Sequence, residues 1–211
     1  MKKLKVISLT NNSTNCYLLP ANDGWLLVDT GLPDTFSHLL QLLFKNSISI
    51  YEINYLLITH FHPDHAGLVQ NLRDLGTNLI VHEDQIPYIQ KLNSFYKKNP
   101  RANFRDIVPH HIITVSDSGS RDYLQSIGIA GDIIMTPGHS DDSVSLVIDD
   151  NCAFIGDLPA YHLIEAYNDA VISDSWNVLQ THNINLVYPG HGEPYVLDPS
   201  RQLVESQNFL V

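Results

Sequence analysis

The sequence predicts an α+β fold built in layers, with two similar halves packed on one another. Three observations predict it. Short apolar runs bounded by turn-forming residues are followed by stretches of helical spacing, and this order occurs twice. Four of the predicted strands run straight into a loop that carries His or Asp. No Pro/Gly/Ser-rich linker or low-complexity segment divides the chain, so residues 1–211 are read as one domain.

The elements follow in order. Leu4–Leu9, Thr14–Leu19 and Trp25–Asp29 read as strands separated by Asn11-Asn12 and Asn22-Asp23-Gly24. Asp34 then caps a helix whose face is Phe36, Leu39, Leu40 and Leu43. Ile53–Ile58 is apolar throughout, as expected of a strand buried on both faces. A helix is expected from Pro63 or Asp64, carrying Leu68, Leu72 and Leu75 and stopping at Gly76. A short strand (Asn78–Val81), a helix over about Glu83–Lys97, an irregular stretch around Pro100–Pro109 and a strand at Ile112–Val115 complete the first half. In the second half, Ile133–Met135 leads into Thr136-Pro137-Gly138-His139. Ser143–Ile148 and Cys152–Ile155 form a hairpin across Asp149-Asp150-Asn151. A helix covers about Val171–His182, and the strand Leu186–Tyr188 ends in Pro189-Gly190-His191-Gly192.

Composition narrows the function. With 44% hydrophobic and 17% charged residues the chain is an ordinary globular sequence, not a disordered or fibrous one. A formal net charge of −11, with only 12 Lys and Arg, repels phosphate backbones and argues against a nucleic-acid partner. The apolar stretch from Val6 to Leu9 is too short for a secretory segment, and no run approaches the roughly 20 residues of a membrane span. The expectation is a cytoplasmic protein without a membrane partner, acting on a small molecule, with a homodimer left open. Cys16 and Cys152 lie in apolar strand-like runs and read as small buried residues rather than a disulfide framework.

The histidines carry the chemistry. There are 11, and His60, His62 and His65 fall within one six-residue segment directly after a buried strand. Side chains two apart on extended backbone point the same way, so His60 and His62 can reach one metal ion. Past Pro63 the chain turns into a helix. Asp64 and His65 therefore point elsewhere and can serve a second ion a few ångströms away. Imidazole with carboxylate suits zinc first, with iron or manganese as alternatives. The partial positive charge of the helix N-terminus would favour a hydroxide or oxyanion beside it.

Thr59-His60-Phe61-His62-Pro63-Asp64-His65 resembles the His-x-His-x-Asp-His signature of the metallo-β-lactamase superfamily. Four further segments resemble that family in the same order: Val28-Asp29-Thr30-Gly31, Thr136-Pro137-Gly138-His139-Ser140, Gly156-Asp157 and Pro189-Gly190-His191-Gly192. The resemblance implies a four-layer αββα sandwich. It implies two divalent metal ions per chain: His60, His62 and His139 on the first, Asp64, His65 and His191 on the second, Asp157 bridging them. Asp29 would orient the ligand loops. Two divalent cations bring four positive charges and the two carboxylates return two, so a water between the metals is expected to ionise near neutral pH. That metal-bound hydroxide would attack an acyl carbon or phosphorus, with Asp64 relaying a proton to the leaving group. In some lactonase and thioesterase branches a Tyr just past the bridging Asp touches substrate, which makes Tyr161 and His162 candidate substrate contacts.

Within the family, Asp157 and His65 stand where one large lactamase group has Cys and Arg, and the nucleases' basic grooves are missing. That leaves hydrolases of an ester, thioester or lactone carbonyl. The segment after Asp157 lacks a basic residue, and Ser140-Asp141-Asp142 adds negative charge beside His139, so a neutral substrate fits better than an anionic one. The alternatives are a mononuclear iron oxidoreductase resembling persulfide dioxygenases, a phosphodiesterase, and a non-catalytic metal-stabilised binding module. The last is disfavoured because a purely structural site normally closes with four ligands. The stretch from about Lys91 to Arg121 is expected to shape the pocket rim.

Overall fold

A computed structural model of the chain describes residues 5–99 and 103–197. Leu4, where the first strand was expected to start, and Pro100, where the irregular stretch was expected to start, lie outside them.

The first sheet has six strands in spatial order β1 (Ile7–Asn11), β2 (Thr14–Ala21), β3 (Gly24–Val28), β4 (Ile53–Leu57), β5 (Asn78–His82) and β6 (Ile113–Val115). β1 to β3 form an antiparallel meander, and β3 to β6 run parallel. The parallel part needs crossovers, and helices supply them: α1 (Phe36–Lys45) between β3 and β4, α2 (Pro63–Ala66) and α3 (Val69–Arg73) between β4 and β5, and α4 (Ile86–Lys98) between β5 and β6. The second sheet holds β7 (Gly131–Met135), β8 (Val144–Ile148), β9 (Cys152–Gly156), β10 (Leu186–Pro189) and β11 (Tyr195–Val196), in the order β11-β10-β9-β8-β7. Helix α7 (Ala170–Thr181) crosses from β9 to the parallel β10.

Three buried clusters define the layers. Leu39 and Leu43 of α1 and Ile89 and Leu92 of α4 pack against Leu18, Leu27 and Leu56 on one face of the first sheet. Tyr17, Leu19, Leu26, Val28 and Leu57 on its other face meet Val144, Leu146, Ile148 and Phe154 of the second sheet. Val147, Ala153, Ile155 and Val187 on the far face of the second sheet are covered by Ile172, Trp176 and Leu179 of α7. This is the αββα sandwich. It explains why Ile53–Ile58 is apolar without alternation: Leu56 and Ile58 face the helices while Leu57 faces the other sheet. Cys16 and Cys152 are free and buried. Among the described residues no helix is long and apolar enough to cross a membrane.

Three elements differ from expectation. The helix expected from Pro63 to Leu75 is two short ones, α2 (Pro63–Ala66) and α3 (Val69–Arg73). The break has a physical cause. The Gly67 N–H donates to Gly31 O (3.1 Å) and the Leu68 N–H to Thr30 Oγ1 (3.1 Å), so the turn after β3 takes donors that a continuous helix would use itself. A four-residue helix sums few peptide dipoles, so the expected pull of a helix N-terminus on an anion is correspondingly small. A helix α5 (Ser120–Ser126) also covers the inter-sheet core, where Leu124 is its one fully buried apolar side chain. One such residue in seven gives no readable period. A further short helix, α6 (Ile164–Tyr167), follows Tyr161–Leu163 where sequence suggested a loop.

Candidate metal centre

All seven candidate ligands lie at the ends of strands or just past them, on one edge of the sandwich. β4 leads through Ile58 and Thr59 to His60 and His62. β7 leads to His139, β9 to Asp157, and β10 to His191. The structure brings these residues together with Asp64 and His65 in three overlapping groups: His60, His62 and His139; His60, His65 and Asp157; Asp64, His65 and His191. Within each group the donor atoms lie within 4.8 Å of one another.

Asp157 is the hub. Its Oδ2 lies 3.5 Å from His139 Nε2, 3.4 Å from His191 Nε2 and 3.9 Å from His60 Nε2, and its Oδ1 lies 3.2 Å from His65 Nε2. Asp64 Oδ2 is 3.2 Å from His191 Nε2 and 3.6 Å from His65 Nε2. His62 Nδ1 and His139 Nε2 approach to 3.0 Å. Two nitrogens bound tetrahedrally at about 2.0–2.1 Å to one zinc ion stand roughly 3.3 Å apart, so this spacing suits a shared cation.

Two glycines make the closeness possible. Gly156 turns left-handed (φ 54°), and a Cβ there would lie 2.5 Å from Thr59 Oγ1. A Cβ on Gly190 would lie 2.4 Å from Asp157 Oδ1 and 2.7 Å from His65 Cε1. Any side chain at either position would push two ligand loops apart.

The electrostatics are those of a site that expects cations. His60 Nε2 is buried without a hydrogen-bond partner, which an interior rarely tolerates, and the buried His65 Nε2 and Asp157 Oδ1 have no nearer polar neighbour than each other, at 3.2 Å. Burial, followed by the neighbouring His65 and His62, holds the His60 pKa well below the usual histidine range. His139 is also lowered, by burial first. At His65 burial opposes the charge, but Asp29 and Asp157 on opposite sides of the ring outweigh it and push the pKa up to about 10. The Asp157 carboxyl is held below the usual range, because His65 and the other imidazoles outweigh burial. Imidazoles, carboxylates and unpartnered buried donors fit divalent metal ions.

Asp29 ties the Thr59 and His65 backbone segments together through its side chain. It sits at φ 60°, a turn its short side chain tolerates, and its buried carboxylate accepts from the Thr59 N–H (2.8 Å), Thr59 Oγ1 (2.8 Å) and His65 Nδ1 (2.8 Å). His65 Nε2 is thereby aimed at Asp64 and Asp157. The two substrate candidates part company. His162 lines a cleft of about 380 Å³ beside Asp157 and His191, together with Glu193 and Tyr195. Tyr161 turns toward α7, where it packs against Trp176 (5.2 Å between centroids) and its hydroxyl accepts from Gln180.

Sequence reasoning missed two supports. Gln85 Nε2 donates to Ile58 O (3.1 Å), Thr59 O (3.2 Å) and Asp142 O (2.9 Å), and the Asp142 carboxylate accepts from the Phe61 N–H (2.7 Å). Asp142 therefore braces the His60–His62 strand end. It is buried, so of the acidic pair read beside His139 only Asp141 is exposed. On the other side of the metal ligands, a cleft of about 640 Å³ runs between the His62–Asp64 turn and α4, lined by Phe61, Tyr88, Lys91, Leu92, Phe95 and Asp141 among others. The start of the segment expected at the pocket rim is thus a cleft wall. It brings one cation, the Lys91 ammonium 3.6 Å above the Tyr88 ring. Nothing in the spacing of Gln85 and Asp142 marks them as supports, because they meet the ligand segment only in three dimensions.

Comparison with known proteins agrees with this architecture. The family model of the metallo-beta-lactamase superfamily matches residues 9–191. The chain belongs to that superfamily. It is 30% identical over 189 residues to a lactamase-like protein nscB of Arthroderma gypseum, covering 88% of this chain and 52% of that protein. It is 28% identical over 183 residues to an atrochrysone carboxyl ACP thioesterase of Aspergillus chevalieri, covering 85% and 51%. The chain thus spans about half the length of these fungal relatives. Among solved structures, a metallo-beta-lactamase family protein, TTHA1429, of Thermus thermophilus superposes with a TM-score of 0.71 at 19% identity, over 98% of this chain and 79% of that one. TTHA1623 in a di-iron-bound form superposes with a TM-score of 0.67 at 20% identity, over 96% and 97%.

Proposed function

We propose that this chain is a dinuclear metal-dependent hydrolase that cleaves acyl thioesters, with esters and lactones as chemically related substrates. The observation that carries this is the meeting of seven donors in three overlapping groups, three of their buried atoms having no other partner. His60, His62 and His139 would hold one cation, Asp64, His65 and His191 a second, and Asp157 would serve both. Two bound cations would supply Lewis acidity toward a carbonyl oxygen and bring the pKa of a coordinated water close to neutrality.

The chain's own residues do the remaining work. Asp29 holds the His65 ring by Nδ1, which leaves Nε2 for the centre. The Asp64 carboxylate, 30% exposed at the mouth of the larger cleft, can take the proton that the attacking water gives up and pass it to a departing thiolate. Phe61, Leu92 and Phe95 offer an acyl group an apolar wall beside the ligands. A thioester is preferred over other carbonyl substrates because one relative is named as an acyl carrier thioesterase. Zinc is the preferred cation for imidazole and carboxylate donors, and the di-iron neighbour supports iron as the alternative.

The test is elemental analysis of the purified chain, followed by hydrolysis of an acyl thioester panel by the wild type and His62→Ala. Two divalent ions per chain and activity lost in the variant are expected. Thioesterase activity that survives His62→Ala would overturn the assignment. A single iron with oxygen consumption would replace it with an oxidoreductase.

A further inference from the structure

The two halves of the centre are held by different parts of the chain. The His60, His62 and His139 group is braced by Gln85 and Asp142, through the carbonyls of Ile58 and Thr59 and the N–H of Phe61. The Asp64, His65 and His191 group is braced from the N-terminal hairpin of β1 and β2. Asn15 grips the His191 loop at three points. Its N–H donates to Gly190 O (2.8 Å), and its Nδ2 donates to Pro189 O (3.1 Å) and Gly192 O (2.6 Å). Tyr17 adds a hydroxyl to Pro189 O (2.6 Å). His191 Nδ1 donates to Ser13 O at the hairpin tip (2.6 Å), so its proton lies there and Nε2 faces Asp64 and Asp157. Asn11, 1% exposed, holds the other flank. Its Nδ2 donates to Thr30 O (2.8 Å), and the Thr30 N–H and hydroxyl both donate to His65 O (2.8 and 2.7 Å). Among the described residues the hairpin makes no hydrogen bond to His60, His62 or His139.

The loop Pro189–Gly192 has little else to hold it. Its own contribution to the second sheet ends at Pro189, and the Gly190 N–H reaches Gly156 O (2.7 Å). His191 is also exposed at 39% of its side chain, against 33% for His139. A ligand on a loop is only as well placed as the groups that pin the loop.

We infer that the β1–β2 hairpin is a clamp dedicated to the second metal site, with Asn15 as its positioning residue, so that occupancy of the two sites can be separated by a substitution that touches neither metal. The inference rests on the dinuclear reading. Without Asn15 Nδ2 the carbonyls of Pro189 and Gly192, on either side of His191, lose their common donor and His191 loses its fixed approach. The first group keeps its own braces.

The experiment strips the chain with a chelator and titrates it with Zn²⁺ or Co²⁺, reading ions bound per chain and the affinity of each step. Far-UV circular dichroism and the thermal midpoint are followed alongside. The wild type is expected to take up two ions. Asn15→Ala is expected to leave one step unaltered and to weaken the other by about 10- to 100-fold, the usual range for groups that orient a metal ligand. Asp142→Ala, which removes the acceptor of the Phe61 N–H, should weaken the step that Asn15→Ala leaves unaltered. If Asn15→Ala does not fold, Tyr17→Phe, which removes a single donor to the same loop, is read in its place and should weaken one step alone, by less. Two unaltered steps in a folded variant would sink the clamp and leave the dinuclear reading standing. Equal weakening of both steps would also sink it. A wild type that takes up only one ion would remove the dinuclear reading and the clamp with it.

Discussion

His65 shows most directly how single residues set the chemistry here. Its ring lies between Asp29 Oδ2, 2.8 Å from Nδ1, and Asp157 Oδ1, 3.2 Å from Nε2. Burial works against the charged ring, but the two carboxylates outweigh it and push the pKa up to about 10. The metal-free protein at neutral pH therefore holds a proton on Nε2 that a cation must displace, whereas His60, lowered by burial, is already neutral. Metal uptake should release protons at pH 7, and apparent affinity should rise with pH. Calorimetric titration in buffers of different ionisation enthalpy measures this, and an uptake heat independent of the buffer would contradict it. The same shift has a consequence for stability. A pKa raised from 6.5 to about 10 on folding means that the pairing stabilises the metal-free fold fully below pH 6.5 and is lost as pH rises through about 10. In Asp29→Asn that alkaline loss should shrink, because the largest partner of the charged ring is gone.

At the scale of elements, strands aim the ligands and one helix shapes what reaches them. Helix α4 lays Tyr88, Lys91, Leu92 and Phe95 along the larger cleft, and Phe95 remains 48% exposed there. A large aromatic left half in solvent beside the candidate metal centre is suited to covering a substrate. Phe95→Ala should lower kcat/KM for long-chain or aromatic acyl thioesters by roughly tenfold, the scale of one lost apolar contact, while acetyl thioesters change little. A uniform drop across the panel would assign Phe95 to folding instead. The sequence marked α4 as a helix and the segment from about Lys91 as pocket rim. Tyr96 proves to be packing, stacked on Phe104 at 4.1 Å, while Tyr88 and Phe95 are wall. The same periodicity could not show that the helix after Pro63 breaks, since the groups that break it belong to a turn more than thirty residues upstream.

At the scale of the whole molecule, the centre depends on three stacked cores that hold two sheets in register. Trp176 is fully buried in the outermost of them. Its Nε1 donates to Pro159 O (2.8 Å), two residues past Asp157. Trp176→Ala should cost about 3–5 kcal/mol in denaturant unfolding, through lost apolar contact and the cavity left behind. It should also loosen the Asp157 loop, so that the remaining folded protein binds metal more weakly. A loss below about 1 kcal/mol would mean that α7 is not a structural layer of the core.

The layered class, the order of most strands and the identity of the candidate ligands were legible in the sequence for local reasons. Backbone period, turn residues and side chains two apart on a strand are properties of neighbours in the chain, and His60, Asp157 and His191 each follow directly on an apolar run. What holds those ligands was not legible. Asn15 and Gly190 stand near opposite ends of the described chain and share a hydrogen bond, Gln85 reaches back to Ile58, and Asp142 to Phe61. Polar contacts between distant segments leave no period behind them. Only the packing of one sheet on the other decides which carbonyl an amide will meet, and therefore which histidine nitrogen faces the centre.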